Sequence, residues 1–213
     1  MQISRFLAAV AIAATLLLGM SPISRAAEPV SPALQKLIAL NDRLHSYTAD
    51  VRADVVMHSF PYLGATLTGT YYHKEPNKNK IVFTGGVPLI ANQFSNVYPR
   101  VESPSRWNDV YAITVVKDDG KYTSFKMVPR NPGRIEHVDA KVADQSGELA
   151  ELRWNYTGGG YATLDQSYGK VGAYWLVTHQ TGHFQDSNYN ADVTSTFSNF
   201  KVNAQIPDSI FAE

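Results

Sequence analysis

The chain has 213 residues, no cysteine, and 19 Lys plus Arg against 19 Asp plus Glu. The missing cysteine excludes a disulfide framework, a thiol nucleophile and a lipid-modified N-terminal cysteine. The even charge balance, with no basic run denser than the three lysines between Lys74 and Lys80, gives no support to a nucleic-acid footprint or a polybasic membrane patch.

Met1 to Ala26 reads as an export signal. Arg5 supplies the positive start, and Phe6 to Met20 is an apolar run of signal-peptide length, short of a membrane span. Ser24 and Ala26 are small residues at the two positions a signal peptidase reads, so cleavage is expected after Ala26. A cut after Ala27 would put Arg25 at the first of those positions. Residues 27–213 are then expected to form a single domain, slightly acidic once Arg5 and Arg25 are gone. In a Gram-negative-type cell its place is the periplasm. Aromatics make up 11% of the chain and twelve are tyrosines, which suits walls that are apolar on one side and wet at the rim.

One helix is predicted, from Pro32 to about Leu44. Ser31 is a good N-cap, Pro32 sits where a missing N–H costs nothing, and Leu34, Leu37, Ile38 and Leu44 fall near one face. So narrow a stripe needs a sheet to lie on. The clearest strand follows, with Tyr47, Ala49, Val51, Ala53, Val55 and Met57 alternating with Thr48, Asp50, Arg52 and Asp54. The chain turns through Pro61, and a second strand puts Ala65, Leu67, Gly69 and Tyr71 on one face. Ala49, Ala53, Ala65 and Gly69 are small: either a helix packs close over this hairpin or a cavity opens. Glu75 to Asn79 is turn chemistry and Lys80 to Thr84 a third strand.

After Asp109 the pattern resumes with strands at Val110–Val116, Lys121–Val128, Arg134–Val142, Glu148–Tyr156, Tyr161–Tyr168, Tyr174–Phe184 and Asn190–Val202. The chain closes on Ile206-Pro207-Asp208-Ser209-Ile210-Phe211, a short clasp whose apolar residues are expected to pin the terminus. About ten strands joined by short turns predict a mainly β (α+β) antiparallel meander wide enough to curl.

Between the two strand groups, Ile81 to Pro99 carries no charge. Beyond Gly85 it has no strand period, yet it holds Val87, Leu89, Ile90, Phe94, Val97 and Tyr98. Each such side chain is worth roughly 1.5–3 kcal/mol when buried. The stretch is either packed down as core or a lid over a cavity that a ligand shares. The candidate ligand-binding residues are Val87, Leu89, Ile90, Phe94 and Tyr98 on this stretch, with Tyr62, Leu67, Trp107 and Trp154 as apolar walls.

Catalytic signatures are missing. No Gly-x-Ser-x-Gly elbow occurs, and Gly158-Gly159-Gly160 lacks phosphate-loop spacing. His179 and His183 stand four apart on a predicted strand, roughly 13 Å along it. Neither a catalytic residue, a metal site nor a cofactor is expected.

The order of signal, helix, long alternating strand and second strand, followed by Tyr71 to Phe83 (Tyr-Tyr-His-Lys-Glu-Pro-Asn-Lys-Asn-Lys-Ile-Val-Phe), resembles the outer-membrane lipoprotein carrier (LolA-like) superfamily. The Lys-x-Pro-Asn turn and the closing Pro-Asp-x-x-Phe at Pro207 to Phe211 carry the likeness. It implies a strongly curled antiparallel sheet forming an incomplete β-barrel, with the N-terminal helix and a lid covering an apolar cavity for acyl chains; Gly85 to Trp107 stands where the family places lid segments. Arg100 and Arg106 are both conceivable matches to the carrier's functional arginine. With that cavity, the leading expectation is a periplasmic carrier or binding protein for lipid or an acylated protein; a monomer with a membrane-protein donor or acceptor is expected, and, since no nucleophile–base pair can be assembled, not an enzyme. The alternative is an envelope sensor that detects lipid through the same cavity and acts through a protein partner.

Overall fold

Alternating sequence becomes sheet along almost the whole chain. The computed structural model describes residues 31–60, 62–85 and 102–212. Within them the strands are β1 (Ser46–Met57), β2 (Gly64–Lys74), β3 (Lys78–Phe83), β4 (Tyr111–Asp118), β5 (Tyr122–Pro129), β6 (Ile135–Ala143), β7 (Leu149–Tyr156), β8 (Tyr161–Val171), β9 (Tyr174–Gln185) and β10 (Asn190–Val202). They form one antiparallel sheet in the order β3-β2-β1-β10-β9-β8-β7-β6-β5-β4. The last strand pairs with the first, from Tyr47 opposite Val202 to Met57 opposite Ala191. β3 and β4, successive in sequence, are therefore the two opposite edges. The sheet is an open, curled half-barrel, as expected from the sequence.

Helix α1 (Pro32–Ala39) buries Ala33, Leu34 and Leu37 and packs against β6. Ser31 occupies the N-cap position without a side-chain cap bond. The helix stops five residues short of the predicted Leu44, for a specific reason. Asn41 Nδ2 donates to the Trp175 carbonyl at 2.7 Å, and its Oδ1 accepts from the Trp175 N–H at 3.1 Å. This side chain behaves as a short strand partner of β9, and the chain leaves the helix to make it. Leu44 is buried all the same.

Two more contacts seat α1. Lys36 Nζ donates to the Asp144 carbonyl in the β6–β7 turn. Beside it, Gly147 has φ +76°, and a Cβ there would stand 2.8 Å from the Lys36 carbonyl carbon. Only glycine allows both that backbone and that approach.

Most of the core lies between α1 and the β4–β9 half of the sheet. Trp107, at the start of the one-turn helix α2 (Trp107–Val110), is 2% exposed and donates its indole N–H to the Glu102 carbonyl at 2.9 Å. It packs with Phe125, Met127, Val138, Leu152, Trp154 and Phe184. Full burial of each such side chain contributes roughly 1.5–3 kcal/mol.

The two stretches that carry the family resemblance meet in space. Lys74, in the Lys-x-Pro-Asn turn, donates to the Ile206 carbonyl at 3.0 Å and pairs with Asp208 at 2.8 Å. Lys78 reaches the same carboxylate at 3.0 Å, and Lys80 Nζ donates to the Ala212 carbonyl. Ile206 is buried, and the short 3-10 turn Asp208–Phe211 packs against β3. The clasp thus covers an edge strand that would otherwise offer unpaired backbone.

Gly147→Ala is expected to cost about 1–3 kcal/mol of stability, because strain and overpacking coincide. Urea unfolding of residues 27–213 measures it. A midpoint equal to the parent's would contradict the seating of α1 described above.

Candidate functional site

The concave face of the sheet is built by register. One row crosses it as Ala65, Val55, Val193, Gly182, Leu164, Leu152, Ala140, Phe125 and Val115, each opposite the next. A parallel row runs Met57, Ala191, Phe184, Ala162, Trp154, Val138, Met127 and Ile113. Neither row contains a charge or a hydrogen-bonding side chain other than the Trp154 indole. The neighbouring convex row reads Thr66, Asp54, Thr194, Thr181, Asp165, Glu151, Lys141 and Ser124. Period 2 has sorted apolar from charged across the whole sheet.

The apolar face has two parts. Over β4 to β9 it is filled by α1 and Trp107, and between Trp107 and Trp154 there is room for about one water. Over β1, β2 and β10 the cluster is small: Ala53, Val55 and Leu67, with Ala65, Phe83 and Val193 against it. Ala53 and Ala65 are the small residues in it. Gly69 stands opposite Phe83, and a Cβ on it would meet the Val82 carbonyl oxygen at 2.4 Å, so this glycine serves the close approach of β3 rather than cavity space.

A polar stripe lies alongside. Ser195, buried, faces Gln180, which faces Gln166. Gln166 Nε2 donates to Gln180 Oε1 at 3.3 Å, and the Tyr168 hydroxyl donates to Gln166 Oε1 at 3.3 Å. Next to it stands a group of rings. Tyr47 lies 5.6 Å from Tyr71, 5.0 Å from His73 and 6.1 Å from Phe200, and Phe197 meets Tyr71 edge-on at 5.7 Å. The Tyr71 hydroxyl donates to Asn79 Oδ1 at 2.7 Å, with His73 Nδ1 2.8 Å from the same oxygen. Burial pushes the Tyr71 phenol up to about 12, with the Tyr47 hydrogen bond partly offsetting it. Burial, then the nearby Tyr71, holds Tyr47 well above the ordinary range, and burial does the same to Tyr168. These groups are neutral hydrogen-bonding partners at physiological pH. They suit the polar end of an otherwise apolar ligand.

The sequence-predicted site residues fall in three places. Trp107 and Trp154 come together, both 2% exposed, inside the filled half. Leu67 is in the small cluster over β1 and β2. Tyr62 stands outside the concavity, 71% exposed on the β1–β2 hairpin. Val87, Leu89, Ile90, Phe94 and Tyr98 lie outside the described residues, as do Arg100 and most of the expected lid. Arg106 is described, and it pairs with Glu102 at 3.5 Å. Sequence reasoning did not single out the Ser195–Gln180–Gln166–Tyr168 stripe. Strand parity marks Gln166, Tyr168 and Gln180 as inward, but only the β10–β9–β8 register aligns them.

His179 and His183 do not converge. His183 Nδ1 bonds Asp192 Oδ1 at 2.6 Å on the convex face, and His58 Nε2 bonds the other oxygen at 2.7 Å. Among the described residues no group of three His, Asp or Glu is placed to hold a metal ion. No described helix is long and apolar enough to cross a membrane.

The raised tyrosine has a measurable consequence. Unfolded tyrosine ionises near pH 10, whereas Tyr71 in the fold does so at about 12. Between these values the folded state binds more protons, so stability falls as pH rises through that window. The parent is expected to lose on the order of 2 kcal/mol more than Tyr71→Phe between pH 10 and 12, read by urea unfolding. Equal losses would contradict the burial of the Tyr71 hydroxyl.

Comparison with known proteins identifies the architecture. No family model matches the chain, and no curated protein matches it by sequence. Solved structures do match. A domain assigned to an outer membrane lipoprotein-sorting protein of Vibrio parahaemolyticus superposes with TM-score 0.62 at 10% identity, over 84% of this chain and 94% of that one. A DUF1329 family protein from Desulfovibrio piger gives 0.58 at 10% identity, over 88% and 98%. A LolA superfamily protein from Nitrosomonas europaea gives 0.55 at 9% identity, over 85% and 96%. The likeness covers nearly the whole described chain, and at this identity it speaks for fold: the protein has the LolA-like fold.

Proposed function

We propose that this protein is a periplasmic carrier or binding protein for lipid or lipidated protein, holding acyl chains against the concave face of the half-barrel. The observation that carries the reading is the charge-free row from Ala65 to Phe125, with small residues where it crosses β1, β2, β10 and β9. An acyl chain of about sixteen carbons gains up to roughly 12 kcal/mol when buried, at ~0.8 kcal/mol per CH₂. The neutral stripe Ser195–Gln180–Gln166–Tyr168 supplies hydrogen bonds for a glycerol ester or thioester end without placing an ion in the apolar face. The similar Vibrio domain, assigned to lipoprotein sorting, supports the same substrate class. The protein works by binding and release, as a monomer, between a donor and an acceptor. Val87, Leu89, Ile90, Phe94 and Tyr98 belong to the proposal as ligand-contacting residues that compete with the acyl chain and so permit release.

Two substitutions test it with a fluorescent fatty acid. Ala65→Trp, at a partly exposed position of the small cluster, is expected to weaken uptake at least tenfold with the thermal midpoint little changed. Phe94→Ala is expected to weaken retention more than it weakens folding. If both variants bind like the parent, or if binding and stability fall in step, the concave face is ordinary core and the carrier reading fails.

A further inference from the structure

We propose that the tip of the β1–β2 hairpin, through Phe60, Tyr62 and Leu63, inserts into the surface of a lipid bilayer. Phe60 is 81% exposed, Tyr62 71% and Leu63 49%, the largest apolar exposures on one turn among the described residues. The sequence from Ser59 to Thr70 carries no charge. Nothing in the described chain covers these side chains.

The tip is held rather than loose. The Tyr62 N–H donates to the Ser59 carbonyl at 2.8 Å, and the Met57 N–H to the Leu63 carbonyl at 2.8 Å. The Asn190 N–H donates to Ser59 Oγ at 3.1 Å, and the His58 N–H to the Asn190 carbonyl at 2.8 Å. At the base His58 is bound to Asp192. Tyr62 itself has φ +55°, a left-handed backbone that costs an aromatic residue energy and persists only where its surroundings impose it. A glycine would sit there without strain. The chain instead keeps an exposed tyrosine.

Size and chemistry select a bilayer over a protein partner. Aromatic side chains bury 150–250 Å² each, so this tip offers roughly 400 Å². A stable protein interface needs about 800 Å² per partner. A convex point of this size, tyrosine beside phenylalanine and leucine, matches the headgroup boundary, where aromatic residues with a polar end collect. At this end of the sheet Arg134 pairs with Asp186 at 3.6 Å, and His58 and His183 pair with Asp192. With no lysine or arginine on the tip, binding should depend little on lipid charge or salt.

Flotation of residues 27–213 with phosphatidylcholine vesicles, with and without phosphatidylglycerol, tests the proposal. The parent is expected to float in both, at low and high salt. Phe60→Ser with Leu63→Ser should lower the partition at least tenfold while keeping fatty-acid uptake, which separates this proposal from the cavity reading. Val115→Ser with Val116→Ser, removing exposed valines of edge strand β4, should leave flotation unchanged. Tyr62→Gly should raise the thermal midpoint yet weaken flotation, the reverse of what a purely structural residue would do. A parent that does not float, flotation abolished by salt, or a double variant at Phe60 and Leu63 that floats like the parent would overturn it.

Discussion

Everything in this molecule depends on strand register. The apolar rows of the concave face exist only because each strand meets its neighbour in a fixed alignment. A slip of one residue between β7 and β8 would bring Glu151 opposite Leu164 and turn a strand's charges inward. Desolvating a carboxylate costs several kcal/mol, and losing the burial of Leu152 and Trp154 adds to it. Register is therefore specified by the alternation itself, strand after strand, and the curl of the sheet converts it into a charge-free hollow.

The hollow is not treated uniformly along its length. Over β4 to β9 the protein fills it with large side chains, α1 and Trp107, which gives the domain its core. Over β1, β2 and β10 the cluster is smaller, with Ala53 and Ala65 beside Val55 and Leu67, and a stripe of neutral hydrogen-bonding groups and a group of rings lie alongside. The β4–β9 half thus carries most of the core among the described residues, and the β1–β2–β10 part a smaller cluster.

The fold was largely legible in the sequence because alternation is a local signal. All ten strands lie where period 2 places them, within a few residues. The pairing of β10 with β1 was not legible, since nothing local to Asn190–Val202 names its partner some 150 positions away. The helix end was misplaced because Leu44 fits the stripe, while the event that ends α1 is Asn41 pairing with the backbone of Trp175. For the site, parity separated inward from outward faces, but residue type alone did not separate filler from wall. Trp107 and Trp154, expected as pocket walls, are both 2% exposed within the larger core cluster. Tyr62 follows the apolar run yet points away, because the turn imposes φ +55° on it. The resemblance rested on the order of elements and two short motifs, and in this chain the Lys74–Asp208 pair brings those two motifs together beside the β3 edge.

Native mass spectrometry of the protein purified from its own cellular compartment, followed by organic extraction and lipid analysis, tests the central claim most directly. A stoichiometric lipid or acylated polypeptide, released on unfolding, is the result the charge-free hollow predicts. A protein that is isolated empty and takes up no acyl chain would contradict it.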